Sequence, residues 1–193
     1  MNRIEQTLLN TARRIIEDGA NLNPAVAYAW DEGRKPMMAV FPHPQDEASK
    51  EENFLLMALA ATCLRADSAT LVADTFTKVV NDESELAVML APSEDPTAND
   101  ALAAVTLRKD GTWAVTTQSY HRNDDGTLRW DEPEEMAGAP GEEQFGLGGK
   151  AAHFISRALI YPNEPPLTEE HLYRVLVGKG VALMDTDTGK ATR

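Results

Sequence analysis

Residues 101–131, ALAAVTLRKDGTWAVTTQSYHRNDDGTLRWD, carry the strongest structural signal in the chain. Two runs rich in β-branched and aromatic residues flank Asp110-Gly111, and Asp-Gly is a favoured turn between hairpin strands. Asp125-Gly126 is a second such turn, which would fold Thr127–Trp130 back against Gln118–Arg122. The stretch therefore predicts a three-stranded antiparallel meander.

The segments before the meander predict two helices and three further strands. Residues 3–18 have apolar residues at helical spacing, and Gly19 is suited to end that helix. Residues 47–65 predict a second helix, which is apolar nearly all round at its centre and should therefore be buried. Strands are expected at 25–30, 37–41 and 69–77.

The remaining segments predict loops and two more helices. Residues 81–100 and 131–149 are acidic and contain prolines, so we expect surface loops there, with a short strand at 88–90. Helices are expected over 151–160 and from 167 to about 184.

Together these elements predict an α+β fold. Strands that are adjacent in sequence mostly form hairpins, so the sheet should be mainly antiparallel, with about five or six strands packed against four helices. The chain has 193 residues, of which 42% are hydrophobic, and this suits a single domain over residues 1–184. Residues 185–193 are expected to be a polar tail.

The longest apolar run, Phe54–Ala61, is far shorter than the roughly 20 residues that cross a bilayer. The N-terminal residues have no apolar segment typical of a signal peptide. The one cysteine, Cys63, cannot form an internal disulfide, and its place in the apolar helix predicts burial. These features predict a cytoplasmic protein that does not interact with a membrane.

The acidic residues are concentrated in one region. The formal net charge is −13, and residues 82–143 contain 15 Asp and Glu against 4 Lys and Arg. Phosphate groups require clustered basic residues, so this region argues against direct binding of nucleic acid. It favours a protein partner with a basic surface. An apolar face left over on the first or last helix could also make a homodimer.

No catalytic, metal-binding or cofactor-binding motif is recognisable in the sequence, and we expect no metal and no cofactor. No two histidines are closer than 18 residues, whereas helical zinc motifs place two on one face. His43, close to Asp46 and Glu47, and His121 are candidate acid/base groups. The glycines of 146–149 lack the Walker A spacing.

Aromatic and polar residues of the meander form a candidate binding surface. Pairing across the second turn would bring Trp130 close to Tyr120 or Arg122, with Trp113 on a nearby strand of the same sheet face. An ordinary cross-strand aromatic pair would explain the same residues, and this structural interpretation is favoured. With the acids that follow, the candidate residues are Trp113, Tyr120, Arg122, Trp130, Asp131, Glu132, Glu134 and Glu135.

Residues 56–74, LMALAATCLRADSATLVAD, resemble a pattern in small uncharacterised proteins of actinobacteria and their phages. In that pattern a buried helix ends in an Arg-Ala-Asp-like turn and continues into an apolar strand. The resemblance covers roughly residues 25–80. It implies a phage accessory protein that acts on the host, and no functional residue follows from it.

Three functions are open at this stage. The first is a non-enzymatic acidic interaction protein that binds and perturbs a host protein. The second is a small hydrolase that uses His43 or His121 with a nearby carboxylate. The third is a DNA mimic that inhibits a partner by occupying its basic groove, which requires carboxylates on a rigid frame. Because most acids are expected in loops, the first function is favoured.

Overall fold

The computed structural model describes residues 3–31, 34–77, 99–140, 149–161 and 166–185. Four helices and eight strands are found in these ranges. In chain order they are α1 (Arg3–Glu17), β1 (Ala25–Ala29), β2 (Met37–Val40), α2 (Glu47–Leu64), β3 (Ser68–Thr77), β4 (Asn99–Arg108), β5 (Trp113–Arg122), β6 (Leu128–Trp130), β7 (Glu134–Gly138), α3 (Gly149–Ile160), α4 (Glu169–Gly178) and β8 (Ala182–Asp185).

The strands form one antiparallel sheet in the order β6-β5-β4-β3-β1-β2-β8, with β7 paired to β5 next to β6. The predicted α+β fold with a mainly antiparallel sheet and four helices is confirmed, and the sheet has more strands than expected. Both Asp-Gly turns occur where the sequence places them, with Gly111 and Gly126 at a φ of 84°. Glycine adopts such a φ without steric cost.

Helices cover both faces of the sheet. One face, here called the α1 face, is buried by α1, whose Leu8, Leu9 and Ile16 pack with Val72 and Leu102. The opposite face, called the α2 face, is buried by the other three helices. Because β3 and β4 are covered on both sides, residues 69–72 and 104–107 are buried on both faces of the sheet.

Local capping interactions determine where the helices begin and end. Asp46 caps α2 by accepting a hydrogen bond from the Ser49 backbone N–H at 2.8 Å. The Ser49 hydroxyl accepts a hydrogen bond from the Asp46 backbone N–H, which completes a capping box. Thr168 caps α4, as Ser and Thr commonly do. α2 ends at Arg65, which has a left-handed φ of 50° and directs the chain into β3.

Two predictions about the C-terminal third are wrong. Residues 134–138 form strand β7 rather than a loop, because the outer edge of β5 offers unpaired backbone groups to them. The last helix ends at Gly178 rather than near residue 184, and Ala182–Asp185 pairs with β2 as β8. Gly180, at a φ of 80°, turns the chain between the two elements. The tail predicted at 185–193 begins within β8, since Asp185 is its last residue. The rest of that tail, the predicted strand at 88–90 and the predicted loops at 81–98 and 141–148 lie outside the described residues.

Tyr28 links the sheet to α2 through a buried hydrogen bond. Its side chain is fully buried, and its hydroxyl donates to the Met57 carbonyl oxygen at 2.9 Å. Tyr28→Phe should lower the free energy of unfolding by about 1 kcal/mol, since one buried hydrogen bond is lost with no change in packing. Urea unfolding measures this difference. A variant as stable as the wild type would contradict this contact.

Candidate functional site

β6 and β7 together form one border of the sheet. β6 pairs with the C-terminal half of β5 and β7 with the N-terminal half, so both follow the same edge of that strand. The connection is fixed to β5, because the Asp131 backbone N–H donates to Ser119 and the Gln118 side chain donates to the Asp131 carbonyl oxygen at 2.7 Å. The border is therefore an ordered strand in two pieces.

This border carries a dense set of carboxylates, which we call the acidic edge. Residues 124–135 contain six acidic residues and one base, Arg129. All six acids are exposed. They are Asp124, Asp125, Asp131, Glu132, Glu134 and Glu135. Glu134 and Glu135 lie on β7, whereas the other four acids lie in the turn before β6 and in the connection between β6 and β7. The edge thus concentrates negative charge along one border of the sheet.

Tyr120 and Trp130 form a cross-strand pair, which is one of the two pairings that the turn at Asp125-Gly126 predicted for Trp130. Their ring centroids are 4.8 Å apart on the α1 face. Trp130 donates from Nε1 to the Glu17 carboxylate at 2.9 Å, and the Arg13 guanidinium lies 4.7 Å from its ring centroid. These contacts dock the end of α1 onto the sheet, so the pair has a structural role.

Trp113 does not join this pair. It lies seven positions before Tyr120 in the same strand, and an odd number of positions places two side chains on opposite faces. Trp113 lies buried on the α2 face, across from Gly138 of β7. The expectation of one aromatic surface that includes Trp113 is therefore wrong.

Asp74 and Tyr120 are joined on the α1 face. The Tyr120 hydroxyl donates to Asp74 Oδ1 at 2.9 Å. Partial burial raises the pKa of Asp74, an effect that the nearby Asp100 carboxylate strengthens and the hydrogen bond from Tyr120 opposes. Burial, followed by the hydrogen bond to Asp74, also raises the pKa of Tyr120. Although Asp74 lies on the face that α1 covers, its side chain is largely exposed.

Asp74→Asn tests this environment through the pH dependence of stability. Because the pKa of Asp74 is raised above its ordinary 3.8 in the folded protein, the ionised form weakens the fold and the protonated form does not. The melting temperature of the variant relative to wild type should therefore increase as the pH rises above 3.8. Thermal melts across this pH range measure it, and a difference that is constant with pH would refute the raised pKa.

Only one histidine is paired with a carboxylate among the described residues. His121 Nε2 lies 3.0 Å from Asp131 Oδ2, at the start of the acidic edge. His43 is exposed, and the Asp46 carboxylate near it is engaged by Ser49 instead. Cys63 is buried as expected, and burial raises the pKa of its thiol, which disfavours the reactive thiolate.

The structure thus brings most candidate residues to one border of the sheet, where β5, β6 and β7 lie. Tyr120, Trp130 and Arg122 lie together on the α1 face, and the four acidic candidates, Asp131, Glu132, Glu134 and Glu135, follow along the acidic edge. The sequence reasoning missed Met136, which is 51% exposed on β7. Met136 could have been found as an apolar residue within an acidic segment, if residues 134–138 had been recognised as a strand.

Comparisons with known proteins find no matching family model, no similar curated protein and no similar solved structure. Among the described helices, none has both the length and the apolar character required to cross a membrane. Within the same residues, no group of three or more His, Cys, Asp or Glu side chains could hold a metal ion.

Proposed function

We propose that this protein is a non-enzymatic interaction protein that binds a basic partner protein through the acidic edge. The observation that carries the proposal is the placement of six exposed carboxylates along one border of the sheet, two on β7 and four in the turn and the connection that flank β6. Charge of one sign on a fixed frame attracts a partner of the opposite sign and speeds its association.

The geometry of β7 suggests how the partner is held. Among the described strands, β7 pairs with β5, and in this proposal a strand of the partner adds along the other side of β7. Met136 offers an exposed apolar contact in the middle of this strand. Backbone hydrogen bonds would then supply affinity, and the carboxylates would select a basic sequence.

Acidic residues on an edge strand have a second known use, which is to prevent edge-to-edge aggregation. The two roles predict different results when the charges are removed. If the acids bind a partner, their loss weakens capture of that partner and leaves the oligomeric state of the protein unchanged. If they only protect the edge, their loss causes self-association and leaves capture unchanged.

The experiment compares two variants of equal charge change. One carries Asp131→Asn, Glu132→Gln, Glu134→Gln and Glu135→Gln. The matched control carries four exposed substitutions elsewhere, namely Asp18→Asn, Glu51→Gln, Glu52→Gln and Glu170→Gln. We expect the wild type and the control to retain a partner from host lysate at low salt and the edge variant to lose it. Equal capture by both variants would refute the proposal.

The identity of the partner is part of the same proposal. The resemblance to phage proteins favours a host protein as the partner, in the cytoplasm. If the partner's basic surface is a nucleic-acid groove, the protein is a DNA mimic, and duplex DNA will compete with it. A partner that duplex DNA does not displace is bound at another basic surface. In either case, binding should weaken at 1 M salt, where the screening length falls to about 3 Å.

The pair of His121 and Asp131 favours a hydrolase as the second candidate. A carboxylate 3.0 Å from an imidazole can orient it as a general base. The test measures hydrolysis of nitrophenyl ester and phosphate substrates by the wild type, His121→Ala and Asp131→Asn. Turnover by the wild type that both substitutions abolish would support this function, and no turnover by the wild type would end it.

A further inference from the structure

A cleft of about 880 Å³ lies where β3 extends past the beginning of β1. β1 starts at Ala25, which pairs with Val72, so the residues of β3 that follow have no β1 neighbour. The cleft therefore reaches from the α2 face around this free edge of β3. Its volume falls within the range of about 300–1,000 Å³ that is typical of small-molecule sites.

The middle of the cleft is apolar, and small side chains make it hollow. Ala73, Ala103 and Thr117 are direct neighbours across three strands on the α2 face, and all three line the cleft. Phe54 and Met57 of α2 also line this space. A row of larger side chains at these sheet positions would fill the volume, so the sequence itself leaves the space open.

One end of the cleft has a positive rim. Lys50 of α2 and Lys150 of α3 both line it, beside the carboxylate of Glu47, so this lining carries two positive charges and one negative charge. Each lysine forms an exposed ion pair, with Glu47 at 3.2 Å and Glu51 at 3.1 Å respectively. Exposed pairs of this kind are weak, so an incoming anion can compete for the lysines. The first turn of α3 contains Lys150 and no acid. The partial positive charge of the helix dipole at this end has the same sign as the lysine.

The other end of the cleft has the opposite character. Asp74 and Tyr120 line it and are bonded to each other, and Asp100 lies close enough to raise the pKa of both. Arg122 also lines this end, so its charge offsets that of one carboxylate. The lining at the lysine end has one positive charge in excess, whereas Asp74 and Arg122 balance at this end, so the lysine end is the more favourable place for an anionic group of a ligand.

From this arrangement we infer that the cleft binds a small amphipathic carboxylate, with its linear apolar chain between α2 and the sheet and its carboxylate at Lys50 and Lys150. The chain of such a ligand gains free energy by leaving water for the apolar middle of the cleft. The carboxylate of the ligand gains electrostatic attraction to the ammonium groups of Lys50 and Lys150. This site is independent of the acidic edge, which lies on the border of the sheet.

Titration calorimetry with sodium dodecanoate, kept below its micelle concentration, tests the inference. We expect saturable binding of one equivalent by the wild type. Ala103→Leu places a larger side chain in the hollow and should weaken binding at least about tenfold, because the ligand chain loses its volume. Thr117→Leu, on the neighbouring strand, should do the same and serves if Ala103→Leu does not fold. Ala137→Leu, exposed on β7, is the control and should bind as the wild type does.

A second comparison locates the carboxylate. Lys150→Glu should weaken dodecanoate binding by about fivefold or more, since one attractive charge becomes repulsive, and should leave binding of uncharged dodecanol unchanged. Absence of wild-type binding would overturn the inference. So would dodecanoate binding that neither Ala103→Leu nor Thr117→Leu weakens, because the ligand would then bind outside the cleft.

Discussion

Leu102→Ala should lower the free energy of unfolding by about 2–5 kcal/mol, the largest effect expected of any single substitution considered for this chain. Leu102 is completely buried on β4, between α1 and the sheet. Its truncation removes apolar surface from the core and leaves a cavity. The central strand and the helix are both held in place by their neighbours, so they cannot move to close that cavity.

Urea unfolding followed by circular dichroism measures this loss. Val177→Ala is the matched control, since Val177 is 62% exposed on α4 and its truncation should cost no more than about 0.5 kcal/mol. A loss below about 1 kcal/mol for Leu102→Ala would mean that the α1 face is not packed as described.

Gly138→Ala should destabilise the protein by about 1–3 kcal/mol and loosen β7 from β5. A Cβ atom at residue 138 would lie 2.3 Å from two ring carbons of Trp113, far inside contact distance. Either the indole or β7 must then move. The indole is buried among other side chains, so we expect the edge strand to shift and the acidic edge to lose its fixed position.

Ala137→Val is the control for this substitution, because the neighbouring residue is exposed and a β-branched side chain suits a strand. A second variant makes the test specific. Trp113→Phe removes much of the ring that Gly138→Ala would strike, so the double variant should lose less stability than the two single losses added together. Strict additivity would show that residues 113 and 138 do not touch.

The sequence predicted the local structure well where apolar periodicity and turn chemistry agree. The meander at 101–131 and the helices at 3–17 and 47–64 are confirmed for this reason. The sequence did not predict β7 and β8, for different reasons. β7 consists of acids, Met, Ala and Gly with almost no apolar alternation, because an exposed edge strand buries little. β8 was mistaken for a helix end, although Gly178 and Gly180 marked the stop.

The candidate site was predicted only in part. The second Asp-Gly turn placed Trp130 opposite Tyr120 or Arg122, and the structure shows the pairing with Tyr120. The alternation of side chains along a strand already placed Trp113 on the opposite face, so that error was avoidable. The bond between Asp74 and Tyr120, separated by 46 residues, depends on strand order, which no local pattern contains.

Hydrogen–deuterium exchange of the full chain, alone and with its captured partner, tests the central claim most directly. If the partner adds to the acidic edge, the backbone amides of 131–138 should exchange more slowly in the complex, because the partner covers β7 and accepts hydrogen bonds from it. The variant with Asp131, Glu132, Glu134 and Glu135 neutralised should show no slowing. Protection that appears elsewhere in the chain, with 131–138 unchanged, would contradict the proposed function.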